Sequence, residues 1–129
     1  MSSAARALVA GHGDFASGMV SAVGQITGRA DLFTVLSNKD RSAAEVLAAL
    51  RELAGDGVRV IFTDLPAGSC AMAARRLQRE RPGLVVVTGT NLATLLDFVF
   101  AGDPFAGEAA RHAAEKGRLS LTVTGGEGA

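Results

Sequence analysis

Two short segments of the chain combine a histidine, a carboxylate and hydrogen-bond donors. His12 stands between two glycines, and Asp64 precedes a turn that leads to a glycine and a serine. A neutral imidazole offers a lone pair to an electrophile such as phosphorus, and a carboxylate on its other nitrogen fixes the tautomer. Backbone N–H groups and a hydroxyl stabilise charge on phosphate oxygens. The segments therefore predict phosphoryl transfer through His12, with Asp64 as its partner. The predicted phosphate contacts are Gly13, Gly68 and Ser69.

Alternating strands and helices are predicted to position these residues. Apolar runs predict strands over residues 7–10, 32–36, 58–63 and 84–87, and helical spacing or caps predict helices over 15–26, 42–53, 69–81, 91–100 and 104–117. Strands joined by helical segments of about 10–15 residues imply right-handed crossovers and a mostly parallel sheet. The fold class is therefore an open α/β sheet with helices on both faces.

The end of the chain predicts one further strand. Leu119, Leu121 and Val123 alternate with polar residues, a pattern typical of a strand with one solvated face. We expect it to be a fifth strand, antiparallel at an edge of the sheet. Residues 1–129 have the length of one domain, and residues 1–5 and 125–129 are expected to be flexible.

In an open parallel sheet, ligands gather where the carboxyl ends of the strands lead into helices. Three predicted loops share this edge: residues 11–14, residues 64–69 and residues 88–91. His12 and Asp64 should therefore lie close together.

Composition limits the kinds of partner. Lys plus Arg and Asp plus Glu each total 13, so the formal net charge is zero and nothing favours a nucleic acid or an anionic membrane. A single cysteine, Cys70, excludes an internal disulfide and a cysteine-rich zinc site, and it suits the reducing cytoplasm. We find no targeting segment, and the predicted chemistry needs no metal or organic cofactor.

Three segments resemble the mannose-type (mannose/fructose/sorbose) enzyme IIA family of the bacterial phosphoenolpyruvate-dependent sugar phosphotransferase system. They are residues 11–18, residues 62–69 and residues 87–92. The resemblance implies that His12 accepts a phosphoryl group from the histidine phosphocarrier protein and passes it to an enzyme IIB domain, while a membrane permease selects the sugar. It also implies that Asp64 pairs with His12, that Ser69 contacts the phosphate, and that the last strand exchanges between the subunits of a homodimer. Magnesium would act only upstream, where the donor is charged.

The second segment departs from the family pattern. Members usually have two glycines before the serine and a proline after it, whereas this chain has Ala67 and Gly68 before Ser69, Cys70 after it, and Pro66 ahead. Proline lacks an N–H group and alanine adopts positive φ less easily than glycine. We therefore expect a phosphate site that is tighter or differently shaped.

Two other functions fit the same residues. The phosphorylation state of His12 would serve equally well in a regulatory module, because a phosphate adds about two negative charges that a partner can read. Residues 11–16 also satisfy the Gly-x-Gly-x-x-Gly/Ala pattern of nucleotide-binding turns, although the chain is short for two mononucleotide-binding halves.

Two features outside these segments are given structural interpretations. His112 is predicted to be a solvated residue on a helix face. On the third predicted helix, spacing places Met72, Ala73 and Leu77 inward and the arginines outward, where they form a solvated face or contact an acidic partner.

Overall fold

Strands and helices alternate through the computed structural model, which describes residues 6–101 and 104–128. The elements are β1 (Ala7–Gly11), α1 (Phe15–Thr27), β2 (Phe33–Ser37), α2 (Ala43–Ala54), β3 (Val60–Thr63), α3 (Ser69–Glu80), β4 (Val85–Val87), α4 (Leu92–Phe100) and α5 (Ala106–Ser120). A short 3-10 turn, Ala30–Leu32, precedes β2. The flexibility expected for residues 1–5 and for Ala129 concerns positions outside the described residues.

The sheet within the described residues has four strands in the order β2-β1-β3-β4, and each neighbouring pair is parallel. β1 is central, and its residues 7–10 are fully buried. Successive side chains on a strand point to opposite faces. Val9 therefore joins a core with α1, α4 and α5, while Leu8 joins a second core with α2 and α3. The open parallel α/β sheet with helices on both faces is confirmed.

Local capping signals explain where two helices begin. The Ser42 hydroxyl accepts a hydrogen bond from the Glu45 N–H at 3.1 Å, and the Glu45 carboxylate accepts one from the Ser42 N–H at 2.7 Å. At α4, the Asn91 side-chain oxygen accepts from the Thr94 N–H at 3.1 Å. Both groups satisfy N–H donors that a helix start leaves without partners.

The predicted fifth strand is not formed within the described residues of the single chain. α5 continues through Ser120, and residues 121–126 are neither helix nor strand. Leu121 and Val123 are 81% and 92% exposed, so their alternation does not correspond to one buried face. A strand requires a neighbour for its backbone hydrogen bonds, and no described strand pairs with this segment. Within the described residues of the single chain, the four strands are therefore all parallel.

Gly117 was expected near the end of the last helix, but it lies inside α5. A β-carbon at this position would be 1.9 Å from Oγ1 of Thr94 and 2.8 Å from Oδ1 of Asn91. The Asn91 amide also donates to the Gly117 carbonyl at 2.9 Å. This glycine therefore permits close packing of α5 on α4 instead of ending the helix.

We predict that Gly117→Ala lowers the free energy of unfolding by about 1–3 kcal/mol, because the added methyl group overpacks the α4–α5 contact. Urea denaturation followed by circular dichroism measures the change. Gly18→Ala is the matched control, since Gly18 lies in α1 with open space around its Cα. There the substitution should stabilise the protein by about 0.5–1 kcal/mol. Equal effects at the two positions would contradict the packing role of Gly117.

Candidate phosphoryl-transfer site

The parallel pairing of β1 with β3 brings His12 and Asp64 together. Ala10 is in register with Thr63, so the residues after each strand emerge side by side at the carboxyl edge of the sheet. Nδ1 of His12 lies 2.9 Å from Oδ2 of Asp64. The His12 side chain is 50% exposed and that of Asp64 13% exposed. The imidazole is therefore open to solvent on one side, while its carboxylate partner is largely enclosed.

Asp64 is held mainly by backbone donors. Its Oδ2 also accepts a hydrogen bond from the backbone N–H of His12 at 2.9 Å, and its Oδ1 accepts one from the N–H of Leu65 at 2.9 Å. Burial by itself would raise the pKa of the Asp64 carboxyl, but the hydrogen bonds and the nearby ring outweigh it and hold that pKa below its usual value. The carboxylate is therefore ionised at neutral pH.

An ionised carboxylate accepts hydrogen bonds and cannot donate them. Nδ1 of His12 must therefore carry the proton in its contact with Asp64, and a neutral ring then has its lone pair on Nε2. This arrangement leaves a nucleophilic nitrogen on the opposite side of the ring from the carboxylate.

Gly11 makes this close approach possible. A β-carbon at Gly11 would lie 2.9 Å from Cγ of Asp64 and 2.7 Å from Cδ2 of Phe15. Real β-carbons do not tolerate such distances, so a side chain here would displace the carboxylate or the aromatic ring. The glycine before His12 is therefore a packing requirement of the His12–Asp64 pair.

The N-terminus of α3 borders the Nε2 side of the ring. A β-carbon at Gly68 would be 3.2 Å from Cε1 of His12 and 3.6 Å from Nε2. Gly68 has a φ of 106°, and no described side chain caps the helix that begins at Ser69. Helix N-termini present backbone N–H groups and a partial positive charge that favour anions. Of the predicted phosphate contacts, Gly68 and Ser69 thus lie beside the histidine.

Gly13, the other predicted phosphate contact, is placed differently. It lies in the exposed turn between β1 and α1 with a φ of 51°, and open space surrounds its Cα. The N–H of Phe15 donates to the carbonyl of His12 at 3.0 Å and closes this turn. The positive φ explains the glycine, and the open space leaves room for a ligand.

A residue that the sequence analysis missed also reaches this edge. Asn38 follows β2, and its Nδ2 donates a hydrogen bond to Oγ of Ser69 at 3.1 Å. Its backbone N–H donates to the carbonyl of Gly11 at 3.1 Å. The strand order brings Asn38 to this edge, because the carboxyl end of β2 lies beside that of β1, but no local motif links Asn38 to Ser69.

The residues that depart from the family pattern form an exposed turn. Pro66 and Ala67 are solvent exposed, and Ala67 is not among the described residues with positive φ. Alanine therefore fits this position without backbone strain. Cys70 is buried, and burial together with the negative charge of Asp64 raises the pKa of its thiol. A protonated thiol is a poor nucleophile at neutral pH.

The third predicted segment has a structural role in the described contacts. Asn91 caps α4, and the N–H of Thr90 donates to the carbonyl of Thr63 at 3.0 Å. These bonds fix the loop after β4 to the end of β3. Neither residue is brought into contact with His12 by a hydrogen bond in the described structure.

Met72 and His112 complete the set of residues singled out from the sequence. The inward placement of Met72 is wrong: its side chain is 67% exposed, because it lies on α3 opposite the buried stripe of Cys70, Ala74 and Leu77. His112 lies at the surface of α5, where its Nδ1 is 2.7 Å from Oδ2 of Asp97.

Among the described residues, no helix is both long and apolar enough to cross a membrane.

The fold and this rim site define an open α/β domain that presents an exposed histidine at the carboxyl edge of its sheet. A family model described as "PTS system fructose IIA component" matches residues 6–115. The chain therefore belongs to this family, the EIIA-man family of phosphotransferase-system IIA components. Membership implies phosphotransfer in sugar uptake and interaction with phosphocarrier and IIB components. No curated protein sequence matches the chain.

Solved structures of IIA components share the fold. A mannose/sorbose-specific IIA subunit from Enterococcus faecalis superposes with a TM-score of 0.86 at 21% identity, covering 95% of this chain and 96% of the other. An EIIA component from Streptococcus agalactiae superposes with a TM-score of 0.83 at 19% identity, covering 92% of this chain and 95% of the other. A IIA protein associated with the fucose utilization operon of Streptococcus pneumoniae superposes with a TM-score of 0.77 at 23% identity, covering 95% of this chain and 96% of the other.

We predict that Asp64→Asn lowers the free energy of unfolding by about 1–2 kcal/mol at neutral pH. The reason is that a neutral amide oxygen accepts weaker hydrogen bonds than the charged carboxylate does. The folded-state pKa of Asp64 lies below its unfolded value. Its stabilising effect is therefore fully present above about pH 4 and is lost as the pH falls through the folded-state pKa.

Urea denaturation of the wild type and the variant across this pH range measures the difference, which should shrink in acid. Asp56→Asn, at an exposed position, is the control and should change stability little at any pH. A difference that stays constant down to about pH 2 would show that ionised Asp64 is not stabilised by its contacts.

Proposed function

We propose that this protein is a cytoplasmic phosphocarrier that accepts a phosphoryl group on Nε2 of His12 from the histidine phosphocarrier protein and passes it to an enzyme IIB domain, in support of sugar uptake through a membrane permease. The observation that carries the proposal is the 2.9 Å contact between Nδ1 of His12 and Asp64, which leaves Nε2 beside the N-terminus of α3. Family membership supports the same reaction class.

The transfer forms one bond and breaks another. The lone pair on Nε2 of His12 attacks phosphorus, and the bond between phosphorus and the donor's ring nitrogen breaks with its electron pair returning to the donor. Nδ1 keeps its proton, and Asp64 stabilises the positive charge that develops on the imidazole ring. Onward transfer to the enzyme IIB domain is the same displacement, with His12 as the leaving group.

Anion-stabilising groups lie where the phosphoryl group would be attached. The N-terminus of α3 has no side-chain cap in the described structure, so its N–H groups are available to phosphate oxygens. We assign the phosphate contacts to the Gly68–Ser69 turn, with Gly13 as a further backbone donor on the open side. In-line transfer depends mainly on such positioning and charge stabilisation.

Apolar residues near the site support a protein partner. Leu65 follows Asp64 in the chain and Met72 lies in the first turn of α3, and both side chains are more than half exposed. Exposed apolar groups beside an open histidine favour a docked protein over a small ligand. Transfer between two histidines requires that the partner approach within bonding distance of the phosphoryl group.

We predict that His12→Ala abolishes phosphoryl labelling. The protein is incubated with phosphoenolpyruvate, enzyme I and the histidine phosphocarrier protein, and intact mass then shows one acid-labile phosphoryl group on the wild type. His112→Ala is the matched control, because His112 also contacts a carboxylate but lies on α5. It should label like the wild type. Equal labelling of His12→Ala and wild type would exclude the proposal, and labelling without onward transfer to an enzyme IIB domain would favour the regulatory alternative.

We also propose a homodimer in which the C-terminal segment of each subunit pairs with the sheet of the other. Leu119, Leu121 and Val123 are strongly exposed at alternate positions in the single chain. β4 is at an edge of the sheet, and no described strand pairs with its outer side. A second chain offers this segment the neighbour that a strand requires.

We predict that the double substitution Leu121→Asp and Val123→Asp converts a dimer into a monomer, because charged side chains would be buried against the partner subunit. Analytical ultracentrifugation measures the mass. Ile26→Asp, at an exposed apolar position on α1, is the control and should remain dimeric. A monomeric wild type would disprove the exchange.

A further inference from the structure

We propose that Asn38 is a positioning residue for the phosphoryl-transfer site, where it orients the Ser69 hydroxyl toward the phosphoryl group. The inference rests on the proposed function of His12. It is drawn from the hydrogen bond in which Nδ2 of Asn38 donates to Oγ of Ser69 at 3.1 Å. Asn38 exchanges no atom with the substrate and acts through Ser69 alone.

The direction of this hydrogen bond determines what Ser69 can do. A serine hydroxyl has one proton and two acceptor lone pairs. An amide N–H on Oγ occupies a lone pair, so the hydroxyl proton points away from Asn38. Ser69 is the first residue of α3, next to Gly68, which adjoins the Nε2 side of the His12 ring. The Ser69 hydroxyl also contacts the Cys70 thiol, and a phosphoryl group on Nε2 would be a stronger acceptor for its proton than that neutral thiol.

The backbone of Asn38 is fixed on both sides. Its N–H donates to the carbonyl of Gly11 at 3.1 Å, and its own carbonyl accepts from the N–H of Arg41 at 3.1 Å. The side chain is also half-buried. Little conformational freedom therefore remains to be lost when the site binds a phosphoryl group.

The Asn38–Ser69 bond also spans the site. β2 and β3 lie on opposite sides of β1, so residues that follow these two strands are separated by about 10 Å of sheet. The hydrogen bond connects the loop after β2 to the start of α3. It passes across the end of β1, which His12 follows directly. It therefore joins the N-terminus of α3 to the same edge that holds the nucleophile.

A donor oriented before the reaction needs no reorganisation as charge develops on the phosphate oxygens. In Asn38→Ala the Ser69 hydroxyl is no longer oriented by an amide donor. We expect phosphoryl transfer at saturating donor to slow by about fivefold, which corresponds to the usual net contribution of one hydrogen bond. In Asn38→Asp a carboxylate accepts the Ser69 proton and adds negative charge, so the loss should reach about tenfold or more.

A double-mutant cycle tests the inference. Single-turnover phosphorylation is measured with the charged histidine phosphocarrier protein over a range of donor concentrations, for wild type, Asn38→Ala, Ser69→Ala and the double variant. The maximal rate should fall in Asn38→Ala while the donor concentration at half-saturation stays the same. The Asn38 substitution should have no further effect in the Ser69→Ala background. Lys39→Ala, at the exposed neighbouring position, is the control and should match the wild type.

The outcomes separate this inference from the proposed function. Two results would disprove the positioning role while the phosphocarrier function stands, provided that wild type is labelled on His12. Either Asn38→Ala transfers as fast as wild type, or the Asn38 substitution lowers the maximal rate by the same factor in the wild-type and Ser69→Ala backgrounds. If wild type itself is not labelled, both proposals fall. Urea denaturation identifies any variant that fails to fold, and Asn38→Leu, which is close to asparagine in size, uncharged and without an N–H donor, then replaces Asn38→Ala in the cycle.

Discussion

The contact between His12 and Asp64 is the constraint on which the rest of the site depends. A single carboxylate oxygen receives both the backbone N–H and the ring Nδ1–H of His12, so it fixes the position of the residue and the orientation of its ring at once. The contact requires two strands that are parallel neighbours and a glycine at position 11 that leaves room for the carboxylate. The sheet order and this glycine therefore matter to the site as much as the histidine does.

The parallel sheet supplies a rigid base for these groups. β1 is buried on both faces between two apolar cores, and the residues that follow β1, β2 and β3 reach the same edge. On one face, Phe62 packs edge-on against Phe98 with ring centroids 5.2 Å apart. Close packing of this kind leaves strands little freedom to shift. The site loops consequently start from fixed positions even where they are exposed.

Features that depend on neighbours in sequence were predictable, and those that depend on distant contacts were not. The capping box at Ser42 and the turn at His12 are encoded within a few residues. The pairing of Asp64 with His12 followed from the topology of parallel sheets and from the family resemblance. The C-terminal strand is not formed in the single chain, and alternation of apolar residues does not reveal whether a neighbouring strand is present. Asn38 was missed because its partner, Ser69, lies 31 residues away and no local motif joins them.

The enclosed position of Asp64 has a consequence for motion at the site. Two main-chain N–H groups, from His12 and Leu65, hold the carboxylate in addition to the ring Nδ1–H of His12. The imidazole is the exposed member of the pair, so a rotation about its side-chain bonds would leave the carboxylate in place. An acceptor of fixed position would allow the ring to leave for a partner and return to the same tautomer, without rebuilding the polar network beneath it.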